Sequence, residues 1–311
     1  QLRINNGNTY HGDVVLSNAS TQPLELDYSS GSTYNSKVFI TKSGAGSISI
    51  ARNGANVFNE HIELNSTHAS GGIYFGDGTS SAITLASNKR IIVGAGGVSG
   101  GLVQIQRMSQ SGTTLQDFTF SGNASLNLLA GNTFANNVNI SLAGTGIINL
   151  GSTTNFNGQC HVSAPQVLLN GATFGDSTWI TKTGAGANTG NGGNIFQSYA
   201  SVSLAATAGG FLRTNYGNTY NGTLELSNAS GQELLLGLIS ASTYSGDVLL
   251  RKTGAGNLRV AYAGANTFGG DIVLNNTQAL GSIAFCEGTG AAATLASGKK
   301  FLVGPSGVSA G

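Results

Sequence analysis

The sequence predicts an all-β fold, a parallel β-solenoid of about 22–24 residues per coil. Three observations predict it: a long internal repeat, a shorter aromatic rhythm inside that repeat, and strand-length apolar alternation cut by glycine corners.

The long repeat sets the organisation. Leu2 to Gly101 aligns without a gap on Leu212 to Gly311, an offset of 210 at which about half of the paired positions are identical. Gly7-Asn8-Thr9-Tyr10 matches Gly217-Asn218-Thr219-Tyr220, and Thr84-Leu85-Ala86-Ser87 matches Thr294-Leu295-Ala296-Ser297. Residues 102–211 between the copies diverge, and the second copy stops at Gly311, the counterpart of Gly101, in mid-unit. One continuous β-helical section over 1–311, cut from a longer array, is the expected organisation.

Inside this unit an aromatic follows a small polar pair at Tyr10, Tyr34, Phe58, Phe134, Phe156, Phe174, Phe196, Tyr220, Tyr244 and Phe268. The gaps are 24 and 24, then, after 76 residues with room for about three more beats, 22, 18, 22, 24, 24 and 24. A period in the low twenties built of strands and turns is one coil of a solenoid, and stacked rings are expected to form a structural ladder along it. Asn8, Asn56, Asn132, Asn218 and Asn266, two positions earlier, suit an amide ladder of stacked chains.

Strand character emerges from comparing the copies. Val14-Val15-Leu16 pairs with Leu224-Glu225-Leu226, Ile62-Glu63-Leu64 with Ile272-Val273-Leu274, and Leu24-Glu25-Leu26 with Leu234-Leu235-Leu236. The outer members stay apolar while the middle one changes, so the middle residue is expected in solvent and its neighbours in a core. Gly-Ala-Gly at Gly44, Gly184 and Gly254 and corners such as Asn221-Gly222 supply tight turns, and no segment has helical periodicity. At a rise of about 4.8 Å per coil, the chain is expected to make about 13 coils and a rod about 60 Å long.

Composition narrows the function classes. Only 9% of side chains are charged, so Asn, Ser, Thr and 48 glycines supply the polarity, and a 40% hydrophobic fraction argues against disorder. A net charge of +1 lacks the basic footprint of a nucleic-acid partner. No run approaches the roughly 18 apolar residues of a membrane span. Cys160 and Cys286 are too few for a disulfide framework and lack metal-ligand spacing. Gln1 opens no signal peptide, so any export signal is expected outside this chain.

Arg251-Lys252-Thr253-Gly254-Ala255-Gly256-Asn257-Leu258-Arg259-Val260, followed by Gly264-Ala265-Asn266-Thr267-Phe268-Gly269-Gly270-Asp271-Ile272-Val273-Leu274, resembles the autotransporter-associated β-strand repeat, with weaker copies beginning at Lys42 and Lys182. The resemblance implies a right-handed parallel β-helix in a large bacterial surface or secreted protein, as in autotransporter passengers and the giant repetitive adhesins that Bacteroidetes export and that gliding species move over the cell. It implies an outer-surface location and adhesion, and it carries no catalytic residues.

Candidate chemistry is sparse. The acids are scattered singly, and Glu60 and Glu63 flanking His61 align with Gly270, Val273 and Asp271, which favours solvated strand-edge residues over a hydrolase pair. Asp77 in Gly76-Asp77-Gly78-Thr79 reads as a turn, since calcium wants several oxygen ligands. Cys160 and His161 point to opposite faces of a strand, a buried thiol beside an exposed imidazole. Lys89-Arg90 and Lys299-Lys300 read as solubilising edges, and the sequons at Asn18 and Asn228 carry little weight. No catalytic, metal or cofactor residues are therefore assigned, and no cofactor is expected.

The expected function is structural and adhesive: a rigid repeat stalk of a long bacterial surface filament, giving reach and attachment. Expected partners are surface glycans or abiotic or host surfaces, outer-membrane anchoring or export machinery, and adjacent repeats of the same chain. The alternatives are a β-helical polysaccharide lyase or hydrolase, and a carbohydrate-binding module whose exposed rings would include Tyr34 and Tyr244.

Overall fold

A computed structural model of the chain describes residues 1–308; residues 309–311, and with them Gly311 at the end of the long repeat, lie outside the described residues. The chain is all-β, without a helix among the described residues, and forms a parallel β-solenoid of about 12 turns with coils of about 24 residues. It divides into two compact units, Gln1–Gly158 and a second that begins at Gln159.

In the first unit each coil contributes a strand to each of three faces. The first face runs through Leu2–Arg3, Leu24–Glu25, Ile48–Ile50, Gly72–Phe75, Leu102–Ile105, Ser125–Leu128 and Ile147–Leu150. The second runs through Thr9–Tyr10, Thr33–Tyr34, Gly54–Phe58, Ser81–Leu85, Met108–Gln110, Thr133–Phe134 and Asn155–Phe156. The third starts with Val14–Asn18, Val38–Lys42, Ile62–Ser66 and Ile91–Val98, and Gln116–Phe120 then opens a new ladder with Val138–Leu142. Pairing is parallel and one coil apart, as in Val14↔Val38↔Ile62. Alternation buries Ile62 and Leu64 completely and leaves Glu63 between them half-buried.

The offset of 76 from Phe58 to Phe134 holds two strands of the second face, with Leu85 and Gln110 in register on the aromatic column. The sequence left room for about three beats. Spans of 27, 25 and 24 residues cross this gap, so it holds two beats and not three, and on the third face Ile91–Val98 carries three residues more than its partner: Val93 pairs with Leu64, yet the next paired residue, Val98, meets Ser66. The side chain of Gln116 then replaces a strand partner. Its Oε1 accepts from the Ile91 amide at 3.0 Å and its Nε2 donates to the Ile91 carbonyl at 2.8 Å.

In the second unit the third face runs through Cys160–Ala164, Thr178–Lys182, Ala200–Leu204, Leu224–Asn228, Val248–Lys252, Ile272–Asn276 and Phe301–Val308. The second face comprises Thr173–Phe174, Ile195–Phe196, Thr219–Tyr220, Thr243–Tyr244, Ala265–Phe268 and Ala292–Leu295. The first comprises Gln166–Leu169 and then a ladder of Asn188–Gly190, Leu212–Thr214, Leu234–Leu236, Leu258–Val260 and Ile283–Phe285. Glycine permits the tight stacking of corners. A Cβ on Gly217 would stand 1.6 Å from the carbonyl oxygen of Ala241, so any side chain there would force the coils apart.

One expectation of the alternation fails. Glu25 is only 7% exposed and its counterpart Leu235 is 1% exposed. The reason is lateral: Arg3 and Arg52 flank Glu25, and Leu235 lies in register between Arg213 and Arg259, whose long stems cover what a lone strand would leave wet.

Candidate functional surface

The ten aromatics lie on the second face, five in each unit. In the first unit Tyr10, Tyr34 and Phe58 stack with centroids 5.0 and 4.5 Å apart, and Phe134 and Phe156 stack at 5.5 Å. In the second, Phe174, Phe196, Tyr220, Tyr244 and Phe268 stack at 4.7, 5.0, 5.4 and 4.4 Å, with interplanar angles of 7°, 8°, 7° and 2°. All but Tyr10, which is half-buried, are buried. Tyr34 and Tyr244 therefore present no face to a sugar.

The amides before the rings tie coils together. Asn56 Oδ1 accepts from the Ser32 amide at 2.9 Å, Asn132 Oδ1 from Met108 at 3.1 Å, Asn218 Oδ1 from Asn194 at 3.0 Å, and Asn266 Oδ1 from Ser242 at 2.7 Å. Asn8 stays exposed and donates to the carbonyl of Asn6.

A carboxyl group lies at one end of this column. Asp27 is fully buried at a left-handed corner (φ 55°), accepting from the Ser32 hydroxyl and, at 2.6 Å, from the Tyr34 hydroxyl. Burial raises its pKa, an effect that the two hydroxyl donors offset only in part. Tyr34 is in turn held neutral by burial and by that carboxyl. The Tyr220 hydroxyl, by contrast, is buried without a hydrogen-bond partner.

The lysines of the Lys-x-Gly-x-Gly pattern are interior groups. Lys42 donates to the carbonyls of His68 and Ser70 at 3.2 and 2.5 Å, Lys182 to those of Pro165 and Gly184 at 3.1 and 2.5 Å, and Lys252 to those of Gln278 and Leu280. All three are buried. Desolvation lowers each pKa, that of Lys182 to about 8. Each ammonium thus caps carbonyls at a corner, as Asn18 and Asn228 do at the strand position of Lys42 and Lys252 with the carbonyls of Gln22 and Gln232.

The outer surface carries charge in rows that sequence reading missed. On the first face of the first unit, Glu25 accepts from Arg3 at 2.6 Å and from Arg52 at 2.5 Å, and the Tyr28 ring lies 3.6 and 4.7 Å from the two guanidinium carbons. Arg52 also reaches Asp77 at 3.9 Å. In the second unit the row is Arg213–Glu233–Arg259–Glu287, at 2.5, 3.1 and 3.0 Å. The signal that could have found them is opposite charge about one coil apart, in register for Arg3 and Glu25 and displaced by two or three residues for Glu25 with Arg52 and for Glu233 with Arg213 and Arg259.

Glu60 pairs with Lys89 at 2.7 Å, which lowers its pKa, while Glu63 meets the Asn65 amide. Cys160 is fully buried, and burial raises its thiol pKa; His161 is exposed and stacks on Trp179 at 4.2 Å. Cys286 is half-buried and free, at a left-handed corner (φ 54°). Among the described residues no group of three or more His, Cys, Asp and Glu is placed to share a metal ion. A cleft of about 330 Å³ lies where the third-face ladder of the first unit restarts, between Ile91–Val93 and Asp117, Thr119 and Arg90.

The outer side of the second face is different in kind. Its column is in register from Thr9 through Thr33, Val57, Thr84, Ser109 and Thr133 to Asn155 in the first unit. In the second it runs Thr173, Ile195, Thr219, Thr243, Thr267, Thr294. The residue after each ring forms a parallel row, in which Asn59 donates to Asn35 at 2.8 Å and Asn221 to Gln197 at 2.6 Å.

No known protein family, curated protein or solved structure matches the chain.

Proposed function

We propose that this chain is a stiff structural section of a long bacterial surface filament or adhesin, whose work is reach and attachment. One observation supports this most: its polar side chains bond mainly to the coil before or after their own. Asn56, Asn132, Asn218 and Asn266 do so beside the ring column, Lys42 and Lys252 at the corners, and Arg52 and Arg259 on the surface. Each face therefore holds successive coils together through several independent columns, and stretching or bending must break many of them together. Attachment follows from repetition, since weak identical contacts along an array add by multivalency.

The reading is tested by single-molecule force spectroscopy on the full chain and by electron microscopy of cells that make it. Stiff, force-resistant extension and thin surface filaments support it. Unfolding at forces typical of flexible linkers, or measurable release of oligosaccharides from pectin-like or alginate-like polymers, would count against it.

A further inference from the structure

In the unit that begins at Gln159, the second face presents to solvent a row of hydroxyl–methyl pairs, backed by a column of buried rings. We infer that this face binds ice, through the row Thr219, Thr243, Thr267 and Thr294.

Three features carry the inference. The first is symmetry. Neighbouring strands lie about 4.8 Å apart. Here the threonines stand in one-to-one register from coil to coil, and the rings of the coils from Phe174 to Phe268 stack with centroids 4.4 to 5.4 Å apart, so the row repeats at about one strand spacing. The strand spacing is close to the repeat of water oxygens along the rows of hexagonal ice.

The second is chemistry. Each threonine offers a hydroxyl that joins a water lattice as donor or acceptor and a methyl that occupies the hollow beside it. Thr243, Thr267 and Thr294 are exposed and Thr219 is half-buried.

The third is what the face lacks. Across these strands and the residue after each, the outward positions hold Thr, Ile, Gly, Gln, Asn, Ser and Ala, with no charged side chain among the described residues. Ions would impose their own hydration shells; on the other two faces of the same unit Arg213, Glu233, Arg259 and Glu225 do so. A sugar polymer is commonly held on an aromatic platform, and every ring in these strands points inward, which favours lattice water over a glycan.

The inference is independent of the spacer role. It is tested on the full chain by ice recrystallisation inhibition and by incorporation of fluorescently labelled protein into a growing ice hemisphere. The native chain should restrain grain growth and enter the ice. Thr243→Lys with Thr267→Lys should need at least about tenfold more protein for the same effect, a loss of about 1.4 kcal/mol. Thr223→Lys, off the face, should change nothing. Should the lysine pair fail to fold, Thr243→Ser with Thr267→Ser removes only the methyls and is read in the same way. A native chain no better than an inert protein overturns the inference, as does full activity in a folded double variant. Retention on cellulose or chitin without any effect on ice would reassign the face to an uncharged glycan.

Discussion

Two substitutions that remove the same atom from the same ring column should have opposite consequences. Tyr34→Phe and Tyr220→Phe each delete one buried hydroxyl and keep a ring that the column already accepts, since Phe58 and Phe196 stack on these tyrosines. The Tyr34 hydroxyl donates to Asp27 at 2.6 Å in a fully buried corner, so its loss strips a partner from a desolvated carboxyl. That costs about 1–3 kcal/mol. The Tyr220 hydroxyl makes no such bond, and the polar group beside it, Asn218, gives its oxygen to Asn194 and one of its two N–H groups to Thr214. Removing an unpaired buried hydroxyl is neutral or stabilising by about 1 kcal/mol. For units of about this size, each kcal/mol moves the melting temperature by about 2–4 °C. Urea titration followed by circular dichroism and tyrosine fluorescence should show a lower midpoint for Tyr34→Phe and an equal or higher one for Tyr220→Phe. Equal losses in the two variants would refute the assignment, because they would mean that ring stacking and not hydroxyl pairing sets the cost.

Other perturbations follow from the same geometry. Asp27 has a raised folded-state pKa, so above the ordinary carboxyl range near pH 4 the folded chain holds a proton that the unfolded chain releases, and stability falls as pH rises. Asp27→Asn should accordingly gain on the native chain between pH 3 and 7 by equilibrium unfolding, and an unchanged difference across that range would be inconsistent with the burial argument. Lys182 has a folded pKa lowered to about 8, so stability should rise from about pH 8 towards pH 9.5, where the unfolded chain still holds the proton near its ordinary pKa of about 10.4. Lys182→Met should abolish that rise, as read from denaturation midpoints in each buffer. Arg52→Ala leaves Glu25 with Arg3 and the Gln1 amide and should cost about 1–2 kcal/mol, with a matching coupling energy in a double-mutant cycle with Glu25→Gln. Gly217→Ala places a Cβ against the Ala241 carbonyl and should destabilise by about 3 kcal/mol or more; a midpoint within experimental error of the native one would show that the coils yield there.

What was readable in the chain and what was not divides along a physical line. The 24-residue spacing of Tyr10, Tyr34 and Phe58, the alternation in Ile62-Glu63-Leu64 and the Gly-Ala-Gly corners are local or periodic signals. A periodic signal survives in one dimension because every coil must solve the same packing problem. The sequence by itself therefore determined an all-β solenoid, its approximate coil length and the strands that line its core. It could not determine which polar groups meet. Arg3 and Glu25, Lys42 and the carbonyl of Ser70, Asp27 and Tyr34, and the threonine row all depend on accumulated coil length. That length changes where Ile91–Val98 bulges and where Leu85 and Gln110 replace aromatics. Slipping a strand by a single residue exchanges its inner and outer faces. Only the tertiary structure, by fixing each register, decided that arginines cover Glu25, that three lysines lie inside, that the rings of Tyr34 and Tyr244 do not face solvent, and that one face is left without charge.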